Sequence, residues 1–138
     1  MYYAGPDIRE MAEQIIEAKE ELGHVRDFSV DYLWNDVEVK TKKGPVLARC
    51  YKPTGLERYY CDHDFVVVVY EPNVIDMSEA HLQVIIYHEL LHIGEDGKLK
   101  DHDINDFRKI IEKYGYDWID DEIEPIIGGE EDGRYEEE

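Results

Sequence analysis

The sequence predicts a small α+β domain in which helices pack on one side of a mainly antiparallel sheet. Three observations support this prediction. The 138 residues, of which 43% are hydrophobic, suit a single core. Three segments carry apolar residues at helical spacing, and strand-like patterns lie between the first and second of them. We therefore expect one domain over residues 1–127, with a charged tail after it.

An amphipathic helix is predicted to open the domain. Gly5-Pro6 is a typical helix start, because proline fits the first turn, and Gly23 is a typical stop. The apolar residues between them repeat at helical spacing: Ile8, Met11, Ala12, Ile15, Ile16 and Leu22. This helix is expected to cover one face of the sheet.

Strands are predicted to follow the first helix. From Phe28 to Trp34 apolar and polar residues alternate, as in a half-buried strand, and the letters TKKGP then lead into VLARCY as a hairpin. The run FVVVVY at 65–70 is rich in β-branched residues, too short for a helix, and bounded by Asp64 and Pro72. We predict a further strand there.

Two more helices complete the predicted order. Asp76, with Glu79 three residues later, is a helix-start signature, and the helical pattern then runs from Met77 to Ile93. This helix is apolar on nearly every face, so it should lie at the centre of the domain. After the loop GEDGKLKD, a C-terminal helix is predicted from one apolar stripe: Ile104, Phe107, Ile110, Ile111 and Tyr114.

Charge and composition argue against several classes of function. The chain has 15 Lys and Arg against 34 Asp and Glu, and its net charge of −19 repels nucleic-acid phosphates and anionic lipid head groups. No apolar run reaches the roughly 18 residues of a membrane span, and the first ten residues lack the pattern of a signal peptide. We expect a cytoplasmic protein that binds no membrane, with a solvated or disordered acidic tail at 128–138.

The segment YHELLHI at 87–93 contains the pattern H-E-x-x-H within the central helix. Residues four apart on a helix differ by about 40° around the axis, so His88 and His92 place two imidazoles side by side, where both can bind one metal ion. Glu89 is rotated by about 100° from His88, which suits it to reach a water that the metal holds. The pattern predicts a zinc site with Glu89 as general base. The alternative is two structural histidines and a salt-bridging glutamate.

Zinc in a catalytic site needs a third protein ligand. The best candidate is His102, because Gly94 ends the helix and the loop containing Gly97 can turn the chain back toward it. An oxygen ligand is the alternative, from Glu95, Asp101, Asp103 or Asp106. A nearby carboxylate such as Asp106 is also a candidate to accept the second ring N–H of His102 and orient it.

The other histidines and the cysteines are predicted to have structural roles. His81 lies about two helical turns before the motif and is at most a cleft wall. His63 lies in the loop before FVVVVY, and His24 follows the first helix as a partner of its dipole. Cys50 and Cys61 lack the spacing of a metal motif or a disulfide framework, so we expect two partly buried free thiols.

With its helix, hairpin and DFVVVVY strand followed by YHELLHI, GEDGK and DHDINDFRKIIEKYG, the sequence resembles the phage metallopeptidases, within the wider zincin and SprT-like group. The resemblance covers about residues 5–118 and is most specific from Tyr87 to Tyr114. It implies a zincin-like fold. The chain departs from the metzincin spacing after His92, and a distal glutamate of the thermolysin type is not evident.

The resemblance also implies roles for particular residues. His88 and His92 would bind zinc, His102 would complete the ligand set, and Glu89 would be the general base. FVVVVY would lie near the cleft, where zincins use an edge strand to hold an extended peptide. The valines fit a central strand buried on both faces equally well.

The sequence-based hypothesis is therefore a Zn²⁺-dependent peptidase that acts on peptide or protein substrates. Four residues are candidates to stabilise the oxyanion: Tyr87, Arg108, Tyr114 and Tyr116. Two alternatives come from other classes. One is a non-catalytic zinc-binding structural or regulatory module whose open position is filled by the tail or a partner. The other is an acidic interaction protein that mimics DNA.

Overall fold

The structure, a computed structural model, describes residues 1–100, 123 and 125–127. The predicted C-terminal helix, His102 and the acidic tail at 128–138 lie outside the described residues. Within the part of the chain that is described, no helix has the length and apolar content needed to cross a membrane.

A four-stranded mixed sheet lies at the centre of the domain. Its strands are β1 (Tyr2–Ala4), β2 (Val30–Asn35), β5 (Ala48–Tyr51) and β6 (Phe65–Tyr70), and their order across the sheet is β1-β2-β6-β5. β2 and β6 run parallel, whereas the other two pairs are antiparallel. Two short strands, β3 (Lys40–Thr41) and β4 (Gly44–Pro45), form a separate hairpin. The α+β class is confirmed.

The run FVVVVY forms β6, as predicted, and β6 is a central strand. It lies between β2 and β5, and Phe65, Val67 and Val69 on one face are fully buried. A strand hydrogen-bonded on both sides has no free edge for a peptide, so the edge-strand role that the resemblance implies for FVVVVY is wrong. β5 occupies that edge position.

The helices are α1 (Pro6–Ala18), a 3₁₀ helix (Glu20–Asp27), α2 (Gly55–Tyr60), α3 (Glu71–Val74) and α4 (Glu79–Leu90). α1 and α4 pack together on one face of the sheet, where their apolar residues share a core with β2 and β6. α1 ends at Ala18, earlier than Gly23, because Lys19 is extended. The helical pattern continued further because the 3₁₀ helix buries Leu22 and Val25 in the same core.

The buried face of α4 also holds residues from the end of the described chain. Gln83 is 1% exposed, and its Oε1 accepts hydrogen bonds from the backbone N–H groups of Ile126 (2.7 Å) and Ile127 (2.9 Å). Its Nε2 donates to the carbonyl of Ile127 at 3.1 Å. One neutral side chain therefore fastens residues 126–127 to the middle of the domain.

Candidate metal centre

The N-cap of α4 lies two residues later than Asp76. Ser78 is the N-cap residue, and its Oγ accepts a hydrogen bond from the backbone N–H of His81 at 3.1 Å. The same Oγ lies 2.6 Å from the Nδ1 of His81. His81 therefore takes part in the cap of the helix, which is a structural role.

The other end of α4 carries the H-E-x-x-H residues. The α-helix ends at Leu90, so His92 lies just beyond it. His92 N–H donates to the Glu89 carbonyl at 3.1 Å, and Ile93 N–H donates to the Leu90 carbonyl at 3.1 Å, which tightens the last turn in the 3₁₀ manner. The centroids of the His88 and His92 rings are 5.3 Å apart as a result.

Three potential donor atoms converge at this end of the helix. One ligand atom each from His88, Glu89 and His92 lies within 4.8 Å of the other two. Both histidines are half-buried, and Glu89 is 7% exposed. Two imidazole nitrogens and one carboxylate oxygen are the donor types that zinc and related divalent metals prefer, so this group fits such an ion.

A backbone carbonyl orients the ring of His92. Its Nδ1 lies 2.6 Å from the carbonyl oxygen of Lys100. A carbonyl only accepts hydrogen bonds, so this contact assigns the proton to Nδ1 and leaves the lone pair of Nε2 available to a metal. Sequence analysis missed this partner because a backbone oxygen carries no residue-type signal.

The loop after His92 returns beside it, as predicted. Lys100 N–H donates to the His92 carbonyl at 2.6 Å, and Gly94 N–H donates to the Lys98 carbonyl at 2.9 Å. Gly97 has φ +79°, a conformation that favours glycine. A Cβ on Gly94 would lie 2.9 Å from the Lys98 carbonyl oxygen, so the close approach of the two chain segments requires glycine.

The position of Lys100 bears on the third ligand. Residue 102 follows two residues later, and two extended residues span at most about 7 Å. His102, Asp101, Asp103 and Asp106 lie outside the described residues. Glu95, the remaining alternative, is exposed and does not belong to the converging group among the described residues.

The 3₁₀ helix supports the same end of α4 from behind. The hydroxyl of Tyr87 donates to the Glu21 carboxylate, and Lys19 Nζ lies 5.2 Å from the centroid of the Tyr87 ring. Tyr87 is 2% exposed, so this oxyanion candidate has a structural contact instead. His24 Nε2 donates to the Ile93 carbonyl at 2.7 Å, so its partner lies at the C-terminal end of α4 and not of α1.

Strand β5 lies against α4 near Glu89. Cys50 on β5 is a half-buried free thiol, as is Cys61 elsewhere, and the prediction of two such thiols is confirmed. Burial raises the pKa of the Cys50 thiol well above its usual value, and the negative charge of Glu89 raises it further. Cys50 therefore stays protonated at neutral pH, on a strand that contacts α4.

His63 lies apart from this group. Its Nδ1 is 2.7 Å from Ser29 Oγ, and its Nε2 is 3.8 Å from an Asp31 carboxylate oxygen. These contacts connect the loop before β6 to the start of β2, which is the structural role that the sequence predicted.

A small α+β domain in which the end of a buried helix brings together two imidazoles and a carboxylate is a candidate metalloprotein. The family model described as "Putative phage metallopeptidase" matches residues 1–127. The chain belongs to this family. No curated protein and no solved structure matches the chain.

Proposed function

We propose that the protein is a zinc-dependent peptidase that hydrolyses peptide bonds in peptide or protein substrates. The observation that supports this most is the convergence of His88, Glu89 and His92 within 4.8 Å at the end of a buried helix. Membership of a metallopeptidase family indicates which reaction such a group would support, namely the hydrolysis of peptide bonds. A solitary metal-binding group of this kind would otherwise fit many functions.

In this proposal His88, His92 and His102 hold the metal. The contact of the Lys100 carbonyl with His92 Nδ1 supports His92 as a ligand, because it leaves Nε2 available to the metal. His102 is proposed as a ligand because it follows two residues after Lys100, whose backbone contacts His92. When bound, zinc supplies a Lewis acid that polarises the scissile carbonyl and acidifies the attacking water.

Glu89 is the general base. Its carboxylate takes a proton from the attacking water as the water oxygen bonds to the carbonyl carbon, and it passes that proton to the leaving amine when the C–N bond breaks. A carboxylate oxygen of Glu89 within 4.8 Å of both imidazole donors supports this role. Its burial keeps bulk water from competing for the same carboxylate.

The edge strand β5 suits the binding of an extended peptide. Tyr70 N–H donates to the Leu47 carbonyl, and hydrogen-bonded pairs alternate along an antiparallel ladder, so the N–H and C=O groups of Ala48 and Cys50 point away from β6. They make no other backbone hydrogen bond within the described part of the chain. A substrate strand can therefore add to β5 next to Glu89.

The test combines metal analysis with variants of matched residue type. Wild-type protein should hold about one zinc ion per chain, His88→Ala should lose it, and His63→Ala should keep it, because His63 contacts Ser29 and not the donor group. Glu89→Gln should keep zinc but cleave peptides about 10³-fold more slowly, as expected for loss of a general base. Unchanged cleavage by Glu89→Gln would exclude Glu89 as the base.

The third ligand requires its own comparison. His102→Ala should weaken zinc binding as strongly as His92→Ala, whereas Asp101→Ala and Asp103→Ala should not. If zinc binding is weakened by Asp101→Ala or Asp103→Ala and not by His102→Ala, the third ligand is a carboxylate oxygen. Zinc binding without cleavage of any peptide, including by a chain truncated after residue 127, would instead indicate a non-catalytic zinc module.

A further inference from the structure

The charges of the chain are unevenly distributed along the sequence. Residues 39–56, here called the basic segment, contain five of the 15 Lys and Arg residues and none of the 34 Asp and Glu residues. The basic segment thus carries +5, and the rest of the chain carries −24, for the net −19. One continuous stretch is positive in an otherwise strongly acidic molecule.

The fold places the basic segment along the edge of the sheet. Lys40, Lys42 and Lys43 are exposed on the β3–β4 hairpin, and β5 begins five residues after Lys43. The hairpin is fixed at its base, where Asn73 Nδ2 donates to the carbonyls of both Val39 (3.0 Å) and Val46 (2.7 Å). The three lysines are therefore held at one end of the edge strand.

The other end of β5 carries Lys52. Its Nζ lies 5.0 Å from the centroid of the Phe65 ring, on the face of the sheet that packs against the helices. Cys50 lies two residues earlier on the same face, about 7 Å away along a strand. Cations thus lie on both sides of β5, the strand that contacts α4.

These positive charges have no ion-pair partner among the residues that the structure describes. None of the five cations of the basic segment forms an ion pair with any residue that the structure describes, although acidic residues outnumber basic ones in the chain. The five are Lys40, Lys42, Lys43, Arg49 and Lys52. An ordinary solvated surface mixes both signs, so a segregated, unpaired set suits an anionic partner.

We propose that the basic segment selects acidic peptides as the substrates of the edge strand. This inference rests on the proposed peptidase function and names its substrate class. Backbone pairing with Ala48 and Cys50 holds a peptide of any sequence, and the lysines favour one with Asp or Glu on both sides of the bond beside Glu89. Lys52 meets a side chain about two positions from that bond, and the hairpin lysines meet side chains further along in the opposite direction.

A short acidic peptide fits this charge pattern better than a nucleic acid does. A DNA duplex carries one negative charge per about 1.7 Å of its axis and extends well beyond a four-residue strand. Its phosphates beyond the basic segment would then be repelled by the rest of the described chain, where 19 Asp and Glu residues stand against six Lys and Arg residues. A peptide whose charges are limited to the length of the basic segment avoids that repulsion.

The test measures binding apart from cleavage. Zinc-loaded, full-length Glu89→Gln protein is mixed with three fluorescent peptides of equal length, whose flanking positions hold Glu, Gln or Lys, and affinity is read by anisotropy. The Glu peptide should bind at least about tenfold more tightly than the Gln peptide, from several surface charge pairs. Equal affinity for the Glu and Gln peptides would overturn the proposal.

A matched pair of variants locates the effect. Lys42→Ser/Lys43→Ser removes two charges at the hairpin tip, and Arg26→Ser/Lys98→Ser removes two exposed charges outside the basic segment. The hairpin variant should lose roughly fivefold in affinity for the Glu peptide and nothing for the Gln peptide, whereas the control should change both little. Equal losses of affinity for the Glu peptide in the two variants would show that the preference depends only on net charge, and this would overturn the proposal.

Two further outcomes separate this inference from the peptidase function. Wild-type protein that cleaves the Glu and Gln peptides at equal rates supports the peptidase and overturns the acidic preference. If the Glu peptide binds selectively but wild-type protein does not cleave it, the role of the basic segment in binding acidic peptides is supported and the peptidase function is overturned. A DNA duplex and unlabelled Glu peptide can be compared as competitors of the fluorescent Glu peptide. If the duplex competes at the lower concentration, the basic segment binds nucleic acid and the proposal is overturned.

Discussion

Two buried polar residues on α4 differ in what surrounds them. Gln83 is 1% exposed and its amide is engaged by three hydrogen bonds to the backbone of Ile126 and Ile127. Glu89, six residues later and 7% exposed, has an acidic side chain that lies beside two imidazoles. Burial of a polar group therefore does not identify a functional residue by itself. The atoms that the polar group meets distinguish a role in folding from a role in chemistry.

The largest expected effect on stability comes from Gln83. Gln83→Leu removes the hydrogen-bond partner of two N–H groups and one carbonyl in the half-buried Ile126 and Ile127, so the free energy of unfolding should fall by about 3 kcal/mol in urea denaturation. Glu89→Gln keeps the shape and removes a buried charge, so it should change that free energy by less than about 1 kcal/mol. Similar losses of unfolding free energy in the two variants would contradict the distinction between a structural Gln83 and a Glu89 that contributes little to stability.

A smaller effect is expected where the loop supports the metal end of α4. Gly94→Ala places a Cβ 2.9 Å from the Lys98 carbonyl oxygen, so the loop that orients His92 must shift. We expect a loss of about 2 kcal/mol in stability and roughly tenfold in zinc affinity, measured by urea denaturation and competition with a chelator.

Gly23→Ala is the matched control for this loop variant. No atom lies within 4 Å of the Cβ that it would add, so stability and zinc affinity should stay close to wild type. Loss of zinc affinity in both variants would show that the method reports general destabilisation and not the geometry of the loop.

The smallest effect concerns Cys50, the thiol nearest Glu89. Because burial raises the folded-state pKa above the unfolded value, the folded state keeps its proton while the unfolded state releases it. Stability should therefore fall as pH rises above about 9, by up to about 1.4 kcal/mol per pH unit. Cys50→Ala should lack this slope between about pH 9 and 10, below the usual titration of tyrosine, and Cys61→Ala should retain it. Identical slopes in wild type and Cys50→Ala would contradict the assignment.

Local patterns predicted α1, α4, the strand FVVVVY and the approach of His88 to His92, since each depends on residues close in sequence. They did not predict the short helices α2 and α3. The pairing of strands was harder. VLARCY was expected to return as a hairpin, but β5 pairs with β6, and β6 pairs in parallel with β2. These choices depend on contacts between residues at least fifteen positions apart, for which one sequence carries no periodic signal.

The candidate site shows the same division. The spacing of His88, Glu89 and His92 could be predicted because a helix converts spacing into geometry. The orientation of His92 by the Lys100 carbonyl and the bond from His24 to Ile93 could not, because both acceptors are backbone oxygens. Their positions follow from the folded loop and not from any residue type.

The basic segment makes one edge of the sheet positive, whereas the rest of the described chain is negative, so the described part of the molecule has an electric dipole. Its electric field steers and orients an approaching anion before contact, within a distance comparable to the Debye length of about 8 Å at physiological ionic strength. Most trajectories would be repelled, and the productive ones would begin along β5. Charge would then select among peptides through the rate at which they meet the protein, before any side chain of α4 has touched them.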